Sequence, residues 1–430
     1  MRLRSLKRFA LLLGLGFLLS WVIGCGSGQP DAQQSSLQEG QQEIEFWTMQ
    51  LQPDFTDYFN QLIAEYEAQN PDVRVRWVDV PWADMQSKIL TAVTAGTAPD
   101  VVNLNPDFAA QLASKNAWLP LDGVVTEGDK QVYLPNIWQA NSLDGKSFGI
   151  PWYLTTNVTF YNQAILDEAG IEPPTTYAEL AEVAQQVKEQ TGKYAYFTTF
   201  VPEDSADVLQ SFVQMGVELV DDQGQAAFNT PEGKAVFQYW TDLYRNDLLP
   251  KEVLTQGHRR AIELYQAGEV ALLSTGAEFF PTIEANAHDI ASVTGSVPQI
   301  TGETGKQNVA VMNLVIPAAT DAPEAAVDFA LFLTNDVNQL SFAQAANVLP
   351  STKAALTDEY FTAAAGDVQG VEKARAVSAT QMDQAEVLIP AMDGIKDLQA
   401  IIYDNLQAAM LGQKTVDEAI EDAAAEWNGR

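Results

Sequence analysis

Apolar positions along the 430-residue chain alternate between two periods. "EIEFW" (43–47) reads as a strand. Phe55, Tyr58, Phe59, Leu62, Ile63 and Tyr66 then fall at i, i+3, i+4, i+7, i+8 and i+11, which predicts one face of a helix. Asp54 is placed to cap that helix, and Asn70-Pro71 to stop it. "VRVRWVDV" (73–80) alternates as a strand does. A second helix is expected from about Ala83 to Ala95 with Gly96 as its C-cap. "PDVVNLN" (99–105) is apolar enough to be a buried strand. The order β-α-β-α-β opens a doubly wound sheet.

The same alternation continues downstream. Thr176 with Glu179, Asp321 with Glu324 and Thr415 with Glu418 each fit a capping box. Thr230-Pro231 reads as an N-cap followed by proline at the first helical position. "GEVALLST" (268–275) and "NVAVMNLVIP" (308–317) predict buried strands, and Val236, Trp240, Leu243 and Tyr244 a buried helical stripe. A second α/β lobe is therefore expected.

The start of the chain follows a different pattern. Arg2, Arg4, Lys7 and Arg8 precede an apolar run from Phe9 to Ile23, short for a membrane span and broken by Gly14, Gly16 and Ser20. This is the layout of an export signal. It ends in "VIGC", whose Cys25 is the single cysteine of the chain. "VIGC" resembles the lipobox of bacterial lipoproteins. That resemblance implies cleavage after residue 24 and lipidation of Cys25, with several acyl chains giving a stable anchor. Residues 26–42, "GSGQPDAQQSSLQEGQQ", read as a flexible tether reaching roughly 20–25 Å.

Composition narrows the function. A lone cysteine makes no internal disulfide, so about 405 mature residues must rest on their own cores. With 57 acidic against 24 basic residues the net charge is −33, more negative still once the leader is lost. Such a surface repels nucleic acid and anionic headgroups.

Catalytic signatures are missing from the sequence. His258 and His288 have no ligand partner at helical spacing, so no metal or other cofactor is expected. No GxSxG elbow occurs. "TGETGKQ" (301–307) has Ile300 where a P-loop needs glycine, and reads as a hairpin turn. "VDDQGQ" (220–225) lacks the spaced ligands of a calcium loop and reads as a turn.

Taken in order, five segments resemble the extracellular solute-binding proteins of ABC importers, in the sugar-binding family that includes maltose-binding protein. They are the opening unit through "AGTAPDVV" (95–102), "GIPWYLTTNVTFYN" (149–162), "YQAGEVALLSTG" (265–276), "NLVIPAATDAPEAAVDFALFLT" (313–334) with "AANVLPSTKAAL" (345–356), and "LGQKTVDEAIEDAAAEWN" (411–428). The resemblance implies a type II periplasmic-binding-protein fold: two α/β lobes, each a mixed sheet flanked by helices, with the ligand cleft between them. The expected division is 43–150 with 291–335 for one lobe and 151–290 with 336–430 for the other. It also implies a sugar ligand, either a di- or oligosaccharide or a glycosylated polyol, and no enzymatic activity. The expected partners are a membrane permease and its cytoplasmic ATPase. The receptor itself is expected to be monomeric, anchored in the envelope and facing the periplasm or the outside.

On that fold, ligand contacts are sought beyond the carboxyl ends of strands. Trp47, Thr48 and Gln50 follow the first strand, and Asn103 and Asn105 the third. Amides there suit a polyol because they both donate and accept. Trp152 and Tyr153 offer aromatic platforms beside Thr155 and Thr156, which match the family's crossover segment. In the second lobe the matching loops are 198–204, with Thr199, and 275–280, with Glu278 and Phe279. Here the chain reads Gly-Ala-Glu where maltose-binding protein has an aromatic after Gly-Pro, so Phe279 is the stacking candidate and Glu278 a bidentate acceptor. Met312, Asn313 and Asp393 complete the set. Glu203, Asp204 and Glu278 together raise an alternative ligand, a polyamine or other organic cation. A carboxylate pair across the cleft would instead make a glycosidase.

Overall fold

The computed structural model describes residues 40–430 apart from 363–368, 390, 391 and 393. The leader, Cys25, most of the tether and Asp393 lie outside the described residues. Among the described residues, no helix is long and apolar enough to cross a membrane.

Strand β1 (Gln42–Met49) pairs in parallel with β2 (Val73–Val80) over its full length, from Gln42 opposite Val73 to Met49 opposite Val80. On its other side it pairs in parallel with β3 (Val101–Leu104) through Phe46 and Trp47. Helix α1 (Thr56–Gln69) buries Phe59, Leu62, Ile63 and Tyr66, four of the six positions that the periodicity marks. Helix α2 (Trp82–Ala95) ends on Gly96 in the left-handed conformation, which glycine adopts without a Cβ penalty.

One strand organises the rest. Ile150–Asn162 runs for 13 residues and belongs to two sheets. Its first half, Ile150–Thr156, pairs antiparallel with the return strand Gln307–Val315, which in turn pairs with β3. Its second half pairs with Leu272–Gly276 on one edge and Thr294–Pro298 on the other. The hydrophobic cores change at the same place. Ile150, Trp152 and Leu154 pack with Phe46, Phe59, Phe329 and Phe342, whereas Val158 and Phe160 pack with Phe212, Phe237, Trp240, Tyr265 and Tyr403. The opposite face of the first sheet carries a further core of Trp47, Met49, Ile89, Val102, Leu104 and Met312. Two lobes with helices on their sheets are thus joined through a shared strand, and alternation along it feeds one core and then the other.

Several local features differ from the expected capping and turn assignments. Along residues 291–361, Ile300 lies in the second core, and Phe342, Leu349 and Phe361 lie in the first. Phe55, not Asp54, is the N-cap of α1, and no side chain caps it. Ala322, not Asp321, precedes the helix at Pro323, again without a side-chain cap. Residues 301–307 form a turn but no hairpin, because the strands on either side pair with different halves of the long strand rather than with each other. The capping boxes at Thr176 and Thr415 are present, as is the Thr230 cap. Residues 220–225 form a turn in which Asp221 Oδ1 accepts from the backbone of Gln223 and Gln225.

Candidate functional site

A cavity of about 640 Å³ opens between the lobes, a size typical of small-molecule sites. The first lobe contributes Trp82 and Gln86, one turn apart on α2, and Asn105 and Phe108 at the start of the next helix (Pro106–Ala113). The second lobe contributes Glu203, Asp204, Ser205 and Gln210 from one segment and Lys396 and Asp397 from another. The return strand closes the floor with Asn308, Val309 and Ala310.

The sequence-derived candidates divide sharply against this cavity. Asn105 lines it, although its Oδ1 is already committed as the N-cap acceptor for the Phe108 N–H at 2.9 Å. Gln50 sits at its edge: it is exposed, adopts φ +53°, and its Oε1 accepts the N–H of Trp82 at 3.2 Å. Thr155 is half-buried opposite Ala310. The others are absorbed elsewhere. Trp47 lies in the core facing α2, and its indole donates to Glu45. Thr48 is fully buried, donates to Asp79 at 2.6 Å and accepts from the Trp77 indole. Trp152 is 1% exposed and stacked on Phe342 at 5.0 Å. Thr156 accepts from Gln381, and Thr199 accepts from the Val201 backbone. Asn103 and Asn313 are buried side by side in the sheet, Asn103 Nδ2 donating to the Asn313 carbonyl at 3.4 Å, and each leaves its Oδ1 unpaired. Met312 packs in the core of Trp47.

A second group gathers around Glu278. Glu278 as a residue is half-buried in the loop after Leu272–Gly276, and burial of its carboxyl raises its pKa to about 7. The charge on Glu278 in turn adds to the burial that pushes the Tyr153 phenol up, and Gly276, two residues before it, pairs with Asn157 of the crossover strand. The carboxylate occupies space that a Cβ on Gly276 would fill, 2.1 Å away. Phe279 presents its ring to the edge of His258 at 6.2 Å. The His258 backbone N–H donates to Asp204 at 2.6 Å, and its ring lies 3.2 Å from Thr275 Oγ1. Asp207 is held above the usual carboxylate range by burial, against the opposing effect of His258. Phe279, His258, Thr275 and Asp204 are thus linked through ring contact and hydrogen bonds, and Asp204 carries this group to the cavity.

Gln86, Phe108, Gln210, Asn308 and His258 are missing from the sequence-derived set. Gln86 had a readable signal, its i+4 relation to Trp82 on a helix that starts at a strand end. The position of Gln210 depends on how two distant segments meet, which periodicity does not encode.

The charge of the cavity is mixed. Glu203, Asp204 and Asp397 line it together with Lys396, and Asp397 is bridged to Arg430 at 2.5 Å. The amides Gln86, Asn105, Gln210 and Asn308 and the aromatics Trp82 and Phe108 make up the remaining specific chemistry. The chemistry of such a lining suits hydroxylated or amide-bearing solutes, through paired hydrogen bonds and ring contacts.

Comparison with known proteins agrees with this architecture. A protein of Synechococcus sp. MITs9220, described as a candidate oligosaccharide periplasmic-binding protein, is 46% identical and superposes with a TM-score of 0.84 over 90% of this chain and 98% of its own. It has also been solved in complex with zinc. An arabinooligosaccharide-binding protein of Halalkalibacterium halodurans is 30% identical over 305 residues, 68% of this chain and 67% of the relative. The cyclic alpha-maltosyl-1,6-maltose binding protein of Arthrobacter globiformis shares the fold at 22% identity, with a TM-score of 0.77 over 91% of this chain and 99% of its own. Residues 52–340 match the model of the bacterial extracellular solute-binding protein family, and this chain belongs to that family.

Proposed function

We propose that the protein is a lipid-anchored receptor that binds a di- or oligosaccharide, or a glycosylated polyol, and delivers it to an ABC permease driven by a cytoplasmic ATPase. The carrying observation is the cleft itself. It is built from both lobes around a shared strand and furnished with amides, carboxylates and an exposed indole at Trp82. Hydroxyls pair with amides and carboxylates, while sugar C–H faces lie on aromatic rings. Closure of the lobes would bury the solute and change the surface that a permease reads. The relatives described as oligosaccharide-binding support the sugar class. Cys25, at the end of the apolar leader, supports the anchor.

The test is thermal-shift screening and calorimetry on the mature domain against sugars, polyols, polyamines and zinc. A true ligand at 100 times its Kd adds about 2.7 kcal/mol of stability. A panel in which no sugar or polyol binds sinks the sugar reading. For the anchor, fatty-acid labelling in cells should be lost in Cys25→Ala.

A second reading rests on Glu203 and Asp204, two carboxylates of a cleft lining whose one lysine is Lys396. It makes the ligand an organic cation, and the polyamine arm of the same panel decides it. Glu278, with its raised pKa, is the type of carboxyl that a glycosidase uses as an acid. The relatives are binding proteins, and we read Glu278 as a ligand contact. Product release from a chromogenic glycoside would overturn that.

A further inference from the structure

Three chain segments meet at the junction of the lobes: Thr156–Asn157 of the long strand, 299–308 leading into the return strand, and 381–388. A network of buried amides ties them together. Gln381 Nε2 donates to the Asn157 carbonyl at 3.0 Å and to Thr156 Oγ1 at 3.3 Å, while its Oε1 accepts from the Gln299 backbone at 3.0 Å and side chain at 3.2 Å. Gln299 also pairs with both backbone groups of Asn308: its Nε2 donates to the Asn308 carbonyl at 3.0 Å and its Oε1 accepts the Asn308 N–H at 2.8 Å. Gln214 adds a donor to Gln299 Oε1 at 3.4 Å. Gln299 and Gln381 are both buried.

Asn308 is where this network reaches the cleft. Its backbone is held by Gln299, and its Oδ1 accepts the Leu388 N–H at 3.2 Å. Three hydrogen bonds of this residue are thus fixed, two on the backbone through Gln299 and one on Oδ1, and Asn308 lies opposite Glu386 in a short parallel pairing. Its Nδ2 has no partner among the described residues, yet Asn308 lines the cavity. A donor whose side chain is already immobilised loses little further freedom on binding.

We propose that Asn308 is the residue through which the hinge reads the solute: a hydroxyl or carbonyl oxygen of the bound solute accepts from its Nδ2. This rests on the receptor reading above. A solute held at Asn308 sits where these segments cross between the lobes, so closure can bring to it contacts from both lobes that the open arrangement lacks. Such a difference is the condition for a ligand to shift that equilibrium. Asn308 is then a specificity-determining residue, and Gln299 and Gln381 are positioning residues behind it.

The test uses the mature protein and whichever member of the screening panel the wild type binds best. Asn308→Asp keeps an oxygen acceptor for the Leu388 N–H and replaces the free donor by a second oxygen. The expected result is an affinity loss of roughly tenfold or more, with the ligand-free melting temperature within a few degrees of wild type. A smaller ligand-induced fall in the radius of gyration by solution scattering should accompany it, a readout that a purely structural asparagine would not move. Wild-type affinity in the variant overturns the inference and leaves the receptor reading standing. If Asn308→Asp melts well below the wild type, the crystal structure of the wild-type complex decides, and a solute with no oxygen within hydrogen-bond reach of Nδ2 overturns the proposal. If nothing in the panel binds the wild type, both fall together.

Discussion

Two tryptophans, Trp152 and Trp82, show how differently a strand and the helix that follows a strand are used. Trp152 sits on the crossover strand, 1% exposed, against Phe342, Phe46 and Phe59. Trp82 opens α2, 46% exposed, on the cavity wall. Trp152 is the third residue of the long strand Ile150–Asn162, Trp82 follows the carboxyl end of β2, and both are large aromatics that a sugar could meet. Only the second is available to a ligand. A side chain on the strand itself is claimed by the sheet's two faces, whereas one on the element after the strand is free to face the cleft. The same contrast separates buried Asn103 from Asn105, one residue past the strand.

Truncating Trp152 should have the largest effect. Trp152→Ala removes a fully buried indole from an aromatic cluster and should cost about 3–5 kcal/mol, read as a fall in the denaturation midpoint at unchanged slope. A variant that keeps its midpoint and loses only affinity would break the comparison by putting Trp152 in the cleft. Trp152→Phe should recover part of the loss, since the indole Nε1 is buried without a partner and phenylalanine carries no such donor.

Next in size is Glu278. Its folded pKa, about 7, stands above the ordinary 4.5 because burial disfavours the charge. The folded state therefore holds its proton more tightly than the unfolded chain, and stability falls as pH rises from about 4.5 through 7. Glu278→Gln should flatten that fall and stabilise the domain at pH 8 by about 1–3 kcal/mol, measured by denaturant unfolding across pH. An unchanged pH profile would show that the carboxyl is well solvated. A solute hydroxyl donating to the carboxylate would favour its charged form, so in the wild type binding should strengthen as pH rises through 7.

The strand order of the first lobe was legible because its signals are local. Periodicity over residues 55–66, alternation over 73–80 and Gly96 each act within a few residues, and the structure follows them. The Thr176 and Thr415 boxes formed, while Asp54 and Asp321 did not cap, because the chain began each helix one residue later than a composition rule places it. Cleft residues were harder to read. Thr48 looks free in sequence, but parallel pairing brings Asp79 beside it from β2, and that carboxylate takes its hydroxyl. Asn308 looks like the ordinary start of a strand, and only the convergence of residues 299 and 388 shows otherwise. The partner that claims a polar side chain is set by tertiary contacts, and no short window of sequence contains it.

Asn105→Ala should cost about 1 kcal/mol through loss of the cap on the helix at Pro106. If affinity falls together with stability, the residue serves both the cap and the ligand.

Trp82→Ala should have the smallest effect on stability and yet a clear effect on binding. Nearly half of its surface is already in water, and it leads a helix whose packing rests on Met85, Ile89 and Ala92, so the midpoint should move by no more than about 0.5 kcal/mol. Its ring is the large exposed aromatic on the first-lobe wall, and losing a stacking surface of that size should weaken sugar binding by about 1–2 kcal/mol, five- to thirty-fold by calorimetry. Trp82→Phe should restore much of it, since stacking needs the ring rather than the indole nitrogen. Equal affinity in all three proteins would place the solute away from this wall. The site would then shift to Tyr153, Glu278 and Phe279, and the contrast between the two tryptophans would reduce to a difference in burial alone.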